Sequence, residues 1–83
     1  QHGDMESNLT TIAKLWSVFL ETPIEPHQVG VMMTLLKIAR IKSTPENVDH
    51  WQDGCGYLSC GAELIAEKPE AKVETIKFQG GNT

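Results

Sequence analysis

The chain has no block of Lys or Arg, and at net charge −4 it lacks the cationic excess of proteins that wrap duplex nucleic acid through counterion release. No apolar run approaches the ~20 residues of a membrane span, and no signal-peptide pattern is visible. There are only two cysteines, Cys55 and Cys60. Five positions apart on a helix they project about 140° from one another, so they do not pair with each other. With no CxxC motif and no Cys/His cluster, neither a zinc site nor a redox motif is indicated. They read as reduced, packable side chains of a cytosolic protein. GxSxG, Walker and HExxH motifs are all missing, and His2, His27 and His50 are scattered.

What remains is 83 residues, at most one domain. A chain of this size buries only ~60% of its unfolded surface and is marginal alone, a limit that oligomerisation relieves. Apolar positions recur with helical spacing. Leu9, Ile12, Ala13, Trp16, Phe19 and Leu20 predict an amphipathic helix, capped by Asn8 and ending before Pro23. A stiff segment, residues 21–26, leads into a second helix from Pro26 to Arg40 or Ile41, with proline suited to its first turn.

The apolar residues of that second helix, from Val29 to Ile41, cover well over half its circumference. A one-sided surface helix shows an apolar arc nearer ~100°. It therefore needs cover from at least two directions, and a partner subunit is the expected source. Thr44 or Ser43, then Pro45 and Glu46, signal a third helix from near Glu46 to Glu67, with an apolar face of Val48, Trp51, Cys55, Leu58, Ala62, Ile65 and Ala66. The expected class is all-α: three helices over residues 1–69, completed as a bundle by oligomerisation, then a tail or docked arm over 70–83. A short strand is conceivable at Lys72 to Phe78.

Candidate chemistry centres on DHWQDGCGYL, Asp49 to Leu58. Asp49, Asp53, Gly56, Cys60, Glu63 and Glu67 share one stripe of the third helix, because steps of three and four keep to one face. Gly54, Gly56 and Gly61 each cost ~1 kcal/mol relative to Ala inside a helix. Such a cost is usually matched by close backbone packing or by access for a ligand. Between Glu25 and Glu46 there is no acid, and Lys37 and Arg40 interrupt the apolar run. A short connector folds the third helix back and brings these cations towards Asp49 and Asp53. Two outcomes follow: an intrachain ion-pair network, or a mixed site in which Lys37 and Arg40 hold phosphate and Asp49 and Asp53 hold Mg²⁺. Tyr57, off the apolar face, is the expected exposed contact for a base, whereas Trp51 is expected in the core.

The runs NLTTIAKLWSVFL, VGVMMTLLKIARIKS and DHWQDGCGYLSCGAEL, behind the opening HGD, resemble a family of small phage and prophage proteins of undefined function. The match covers most of Gln1 to Leu64. It implies a further helix before residue 1 and action in the cytoplasm of an infected or lysogenic bacterium. More distantly the chain is similar to MazG-type all-α nucleoside triphosphate pyrophosphohydrolases, which carry EExxE on one helix and ExxD on the next. Asp53 matches the final Asp, His50 stands at the position of that motif's Glu, and Asp49 precedes it. The EExxE motif has no counterpart.

The resemblance implies a protein that binds, sequesters or senses a phosphorylated nucleotide between helices of an oligomer. Its alternatives are a Mg²⁺-dependent pyrophosphohydrolase and a helical module that engages a host protein.

Overall fold

A computed structural model describes residues 2–67. Over these it is all-α: α1 spans His2–Leu20, α2 Pro26–Ser43 and α3 Val48–Ala66, with no strand among the described residues. The proposed tail or arm, and the strand at 72–78, lie outside them.

Each boundary has a local cause. α1 runs past Asn8, the expected cap, which sits exposed within the helix. No Pro interrupts residues 2–8, and one mid-helix Asn costs too little to stop propagation. At its other end Glu21 takes a left-handed conformation (φ 56°), and the Thr22 N–H donates to the Ser17 carbonyl at 3.2 Å. This is the bond of a Schellman cap, with Glu where Gly is usual. Ser17 also fixes the exit path. Its hydroxyl donates to the Ala13 carbonyl at 2.7 Å and accepts from the Ile24 N–H at 2.8 Å.

α2 opens on Pro26, and the Gln28 side chain accepts from the Glu25 N–H at 2.8 Å. It extends to Ser43, two residues beyond the expected Ile41. α3 starts later than Thr44-Pro45-Glu46 suggested. Asn47 is its cap, accepting from the Asp49 N–H at 3.1 Å, and Pro45 and Glu46 belong to the turn.

α2 and α3 form the most extensive helix contact. It is built on small residues. A Cβ placed on Gly30 would lie 3.0 Å from the Tyr57 carbonyl oxygen and 3.5 Å from the Gly61 Cα, so the two backbones nearly touch. Thr34 is buried at the same seam. Its hydroxyl donates to the Gly30 carbonyl at 2.8 Å, with the Gly54 carbonyl 3.4 Å away on α3. α1 closes one side of this pair. Leu9 and Ala13 join Val29 and Cys60 in a small core, flanked by Ile12, Trp16, Ile24, Met33, Tyr57 and Leu64.

The face of α3 expected in the core is therefore not the one buried. Val48, Trp51 and Leu58 are half-exposed, and Cys55 and Ala62 are exposed. Gly54 and Gly61, which look like weak points in the sequence, face α2. The close approach of Gly30 to the Tyr57 and Gly61 backbone sets this side of α3 against α2 and leaves the larger apolar side chains outward.

Candidate functional site

The antiparallel turn brings one expected pair together. Lys37 Nζ lies 3.0 Å from Asp53 Oδ2, with the lysine side chain largely covered and the aspartate half-exposed. The outcome at this pair is an intrachain ion pair. The other members are dispersed. Arg40 is exposed and Asp49 is exposed, and neither has an ion-pair partner among the described residues. Asp49 contributes its backbone N–H to the Asn47 cap and a negative charge to the first turn of α3. Tyr57 is not the exposed contact that was expected. It is half-buried and packs against the core, because the Gly30–Tyr57 backbone approach draws this turn of α3 against α2.

Asp49 and Asp53, the carboxylates expected at a Mg²⁺, differ in their surroundings. Asp53 is already engaged by the Lys37 ammonium, and no three His, Cys, Asp or Glu side chains gather into a metal-binding group among the described residues. Mg²⁺ is commonly held by one or two carboxylates, with waters and substrate phosphates completing its octahedron.

A second feature joins the leftover apolar arc expected on α2 to a line on α3 that was expected in the core. Val31 follows Val29 by two positions, about 200° around the helix, so it points away from α1. Val31, Leu35 and Ile38 continue that outward line on α2, and all are exposed. On α3, positions 48, 51, 55, 58, 62 and 65 alternate in steps of three and four and hold Val, Trp, Cys, Leu, Ala and Ile. The two lines together form an apolar face on the side of the α2–α3 layer opposite α1.

Between them runs a groove of about 290 Å³ lined by His27, Val31, Tyr57, Leu58, Gly61, Ala62 and Ile65. Trp51, expected in the core, is 52% exposed on this face. Its indole N–H donates to the Pro45 carbonyl at 3.0 Å, so the ring stands fixed against the α2–α3 turn. The signal for this face was present as the regular three-four spacing on α3. In the sequence that pattern has the form of a core stripe, because sequence alone does not say which helix lies against it.

His27 Nδ1 and His50 Nδ1 are buried without a hydrogen-bond partner. Cys55 is exposed and Cys60 buried, both as free thiols. Burial pushes the Cys60 thiol above its ordinary range, and the charges of Glu6, Glu63 and Glu67 add to this. No described helix is long and apolar enough to cross a membrane.

The described residues thus form three helices around a small glycine-mediated core, with an apolar face exposed on α2 and α3 and with Leu15, Val18 and Phe19 exposed on α1. By sequence it belongs to the family described as Domain of unknown function (DUF6378), whose pattern matches residues 1–65. It is similar to the Gene 55 protein of Mycobacterium phage D29, at 40% identity over 68 residues, which are 82% of this chain and 44% of that protein. The chain therefore spans less than half the length of this relative. The phage kinship implied by the sequence is shown. Neither the matched family nor this relative supports the likeness to MazG-type enzymes. No solved structure matches the chain.

Proposed function

We propose that this domain acts by assembly, docking the apolar face of α2 and α3 in a homo-oligomer. The observation that carries the reading is that face itself. Val31, Leu35, Ile38, Val48, Trp51 and Leu58 are each between 47% and 58% exposed, whereas Leu9, Ala13, Val29 and Cys60 make up the buried hydrophobic core among the described residues. Scattered surface hydrophobics are ordinary, but a contiguous patch of this kind marks an interaction site. The unusually wide apolar arc of α2 has the same explanation, since α1 and α3 together leave much of it uncovered.

Light scattering behind size exclusion tests the reading. A dimer or larger species is expected at micromolar concentration, and Leu35→Glu should reduce it. A stable monomer counts against self-assembly and favours a face reserved for a host protein.

A second reading, binding of a phosphorylated nucleotide, draws on the Lys37–Asp53 pair and on Arg40, one turn further along a helix that carries no acid. Lys37 and Arg40 would hold the phosphates, with Asp49, Asp53 and Tyr57 nearby in sequence. Against it stand the dispersal of these side chains and the position of the groove on the other face. Thermal shift with a nucleotide panel, with and without Mg²⁺, decides the matter. Stabilisation without turnover supports sequestration or sensing, conversion of triphosphate to monophosphate supports a pyrophosphohydrolase, and no response removes both. Either mode of action would operate in the cytoplasm of the infected or lysogenic host.

A further inference from the structure

We infer that the apolar face mates with a second copy of this chain through α3 packed antiparallel on α3, each Trp51 seated in the other copy's groove. This deepens the assembly reading and rests on it.

The first argument is self-complementarity. One face carries both an anchor and a hole. Trp51 lies half-exposed at one end, and the groove that Gly61 and Ala62 line with His27 and Val31 of α2 lies at the other. Trp51 and Ala62 are eleven positions apart, about 16 Å along the axis at 1.5 Å per residue. A two-fold axis crossing the helix midway, between Cys55 and Leu58, sets each anchor opposite a groove at the same time. That is the geometry of an isologous contact, in which one surface patch serves both subunits. The same operation sets Val31 of one α2 against Ile38 of the other, with Leu35 near the axis.

The second argument is the chemistry of the anchor. Burying a tryptophan is unfavourable when its N–H loses water without gaining a partner. Here the N–H already donates to the Pro45 carbonyl, so the ring can enter a largely apolar groove without orphaning its own N–H. The hydrogen bond also fixes the ring before contact, which lowers the ordering cost of association. Aromatic anchors seated in pockets are what dominate such interfaces.

The third is size and spacing. Positions 48 to 65 keep a strict three-four alternation with no charged residue on the stripe. This is the repeat by which side chains of one helix enter the gaps of another. The six half-exposed side chains of the face present on the order of 600 Å², most of the ~800 Å² that each partner gives to a standard interface.

The test uses the full 83-residue chain. In this arrangement the two Cys55 side chains lie about 4.5 Å apart along the axis, on helices ~8–10 Å apart. A short bismaleimide should therefore join them, while buried Cys60 stays unmodified. Sedimentation velocity is run on the wild type, on Trp51→Ala and on Ala62→Phe, each checked for helicity and melting. Trp51→Ala also removes the bond to Pro45. Ala62→Phe leaves Trp51 in place and fills the groove while keeping the face apolar.

The expected result is a cross-linked dimer, with dissociation constants raised about 30-fold or more in both variants, the effect of losing an interface hot spot. A dimer unaffected by Ala62→Phe overturns the Trp51 seating. An oligomer that does not cross-link through Cys55 overturns the α3 pairing and leaves the assembly reading intact. A monomer, including one whose Cys55 is shielded by residues 68–83, overturns both.

Discussion

Two glycine-to-alanine substitutions on adjacent helices should differ sharply in their effect on stability. In each, alanine adds one methyl group and relieves the entropic cost of glycine, worth ~1 kcal/mol in a helix interior. At Gly56 a Cβ meets nothing within 4 Å, so Gly56→Ala should stabilise by about that full amount. At Gly30 the Cβ would stand 3.0 Å from the Tyr57 carbonyl oxygen. The obstructing atom is backbone, so relief requires α3 to move as a unit. Overpacking of this kind costs ~1–3 kcal/mol, which leaves Gly30→Ala between neutral and ~2 kcal/mol destabilised after the propensity gain.

The two variants should thus differ by roughly 1–3 kcal/mol, or on the order of 5 to 20 °C in melting temperature for a domain of this size. Thermal denaturation followed by circular dichroism, at matched protein concentration so that any association contributes equally, measures the difference. If Gly30→Ala melts as high as Gly56→Ala, the backbones do not meet as described and the reason given for the outward-turned face fails.

Ser17→Ala removes the hydroxyl that accepts from the Ile24 N–H, and chemical denaturation should show a loss of ~1 kcal/mol, more if that amide finds no water. Glu21→Gly relaxes a left-handed residue at the end of α1 and should raise stability by about 0.5–1 kcal/mol after the larger unfolded-state entropy of glycine is deducted. Asp53→Asn breaks the pair with Lys37, but Asp53 is half in water, so a loss below ~1 kcal/mol is expected. A loss of several kcal/mol would show that the lysine is effectively buried. At concentrations low enough to leave the chain monomeric, Cys55 should react quickly with a thiol reagent and Cys60 slowly. Because the folded Cys60 thiol is shifted upward, its contribution to stability is complete below the ordinary thiol range and declines as pH rises through the folded value. Urea titrations at rising alkaline pH, compared with Cys60→Ala, would isolate that decline.

Local chemistry determined much of this protein. The three helices were legible because apolar spacing, Pro26 and the turn residues around Pro45 act over a few neighbours. The antiparallel return of α3, and with it the Lys37–Asp53 pair, followed from the shortness of the connector. Tertiary packing decided which face of each helix is inside. Hydrophobicity marked Val48, Trp51, Leu58 and Ile65 as the buried stripe of α3, since burial of large side chains is the stronger average tendency. The fold instead buries Gly54 and Gly61 against α2, beside the place where a Cβ on Gly30 would crowd the Tyr57 carbonyl. A glycine carries no hydropathy signal for such a contact, because its contribution is the absence of an atom. The same choice turned Trp51 outward and moved Tyr57 inward, and it put the groove beside Ala62 rather than beside Asp53. Helix period and capping are properties of the chain, whereas the pairing of faces depends on what lies across the contact.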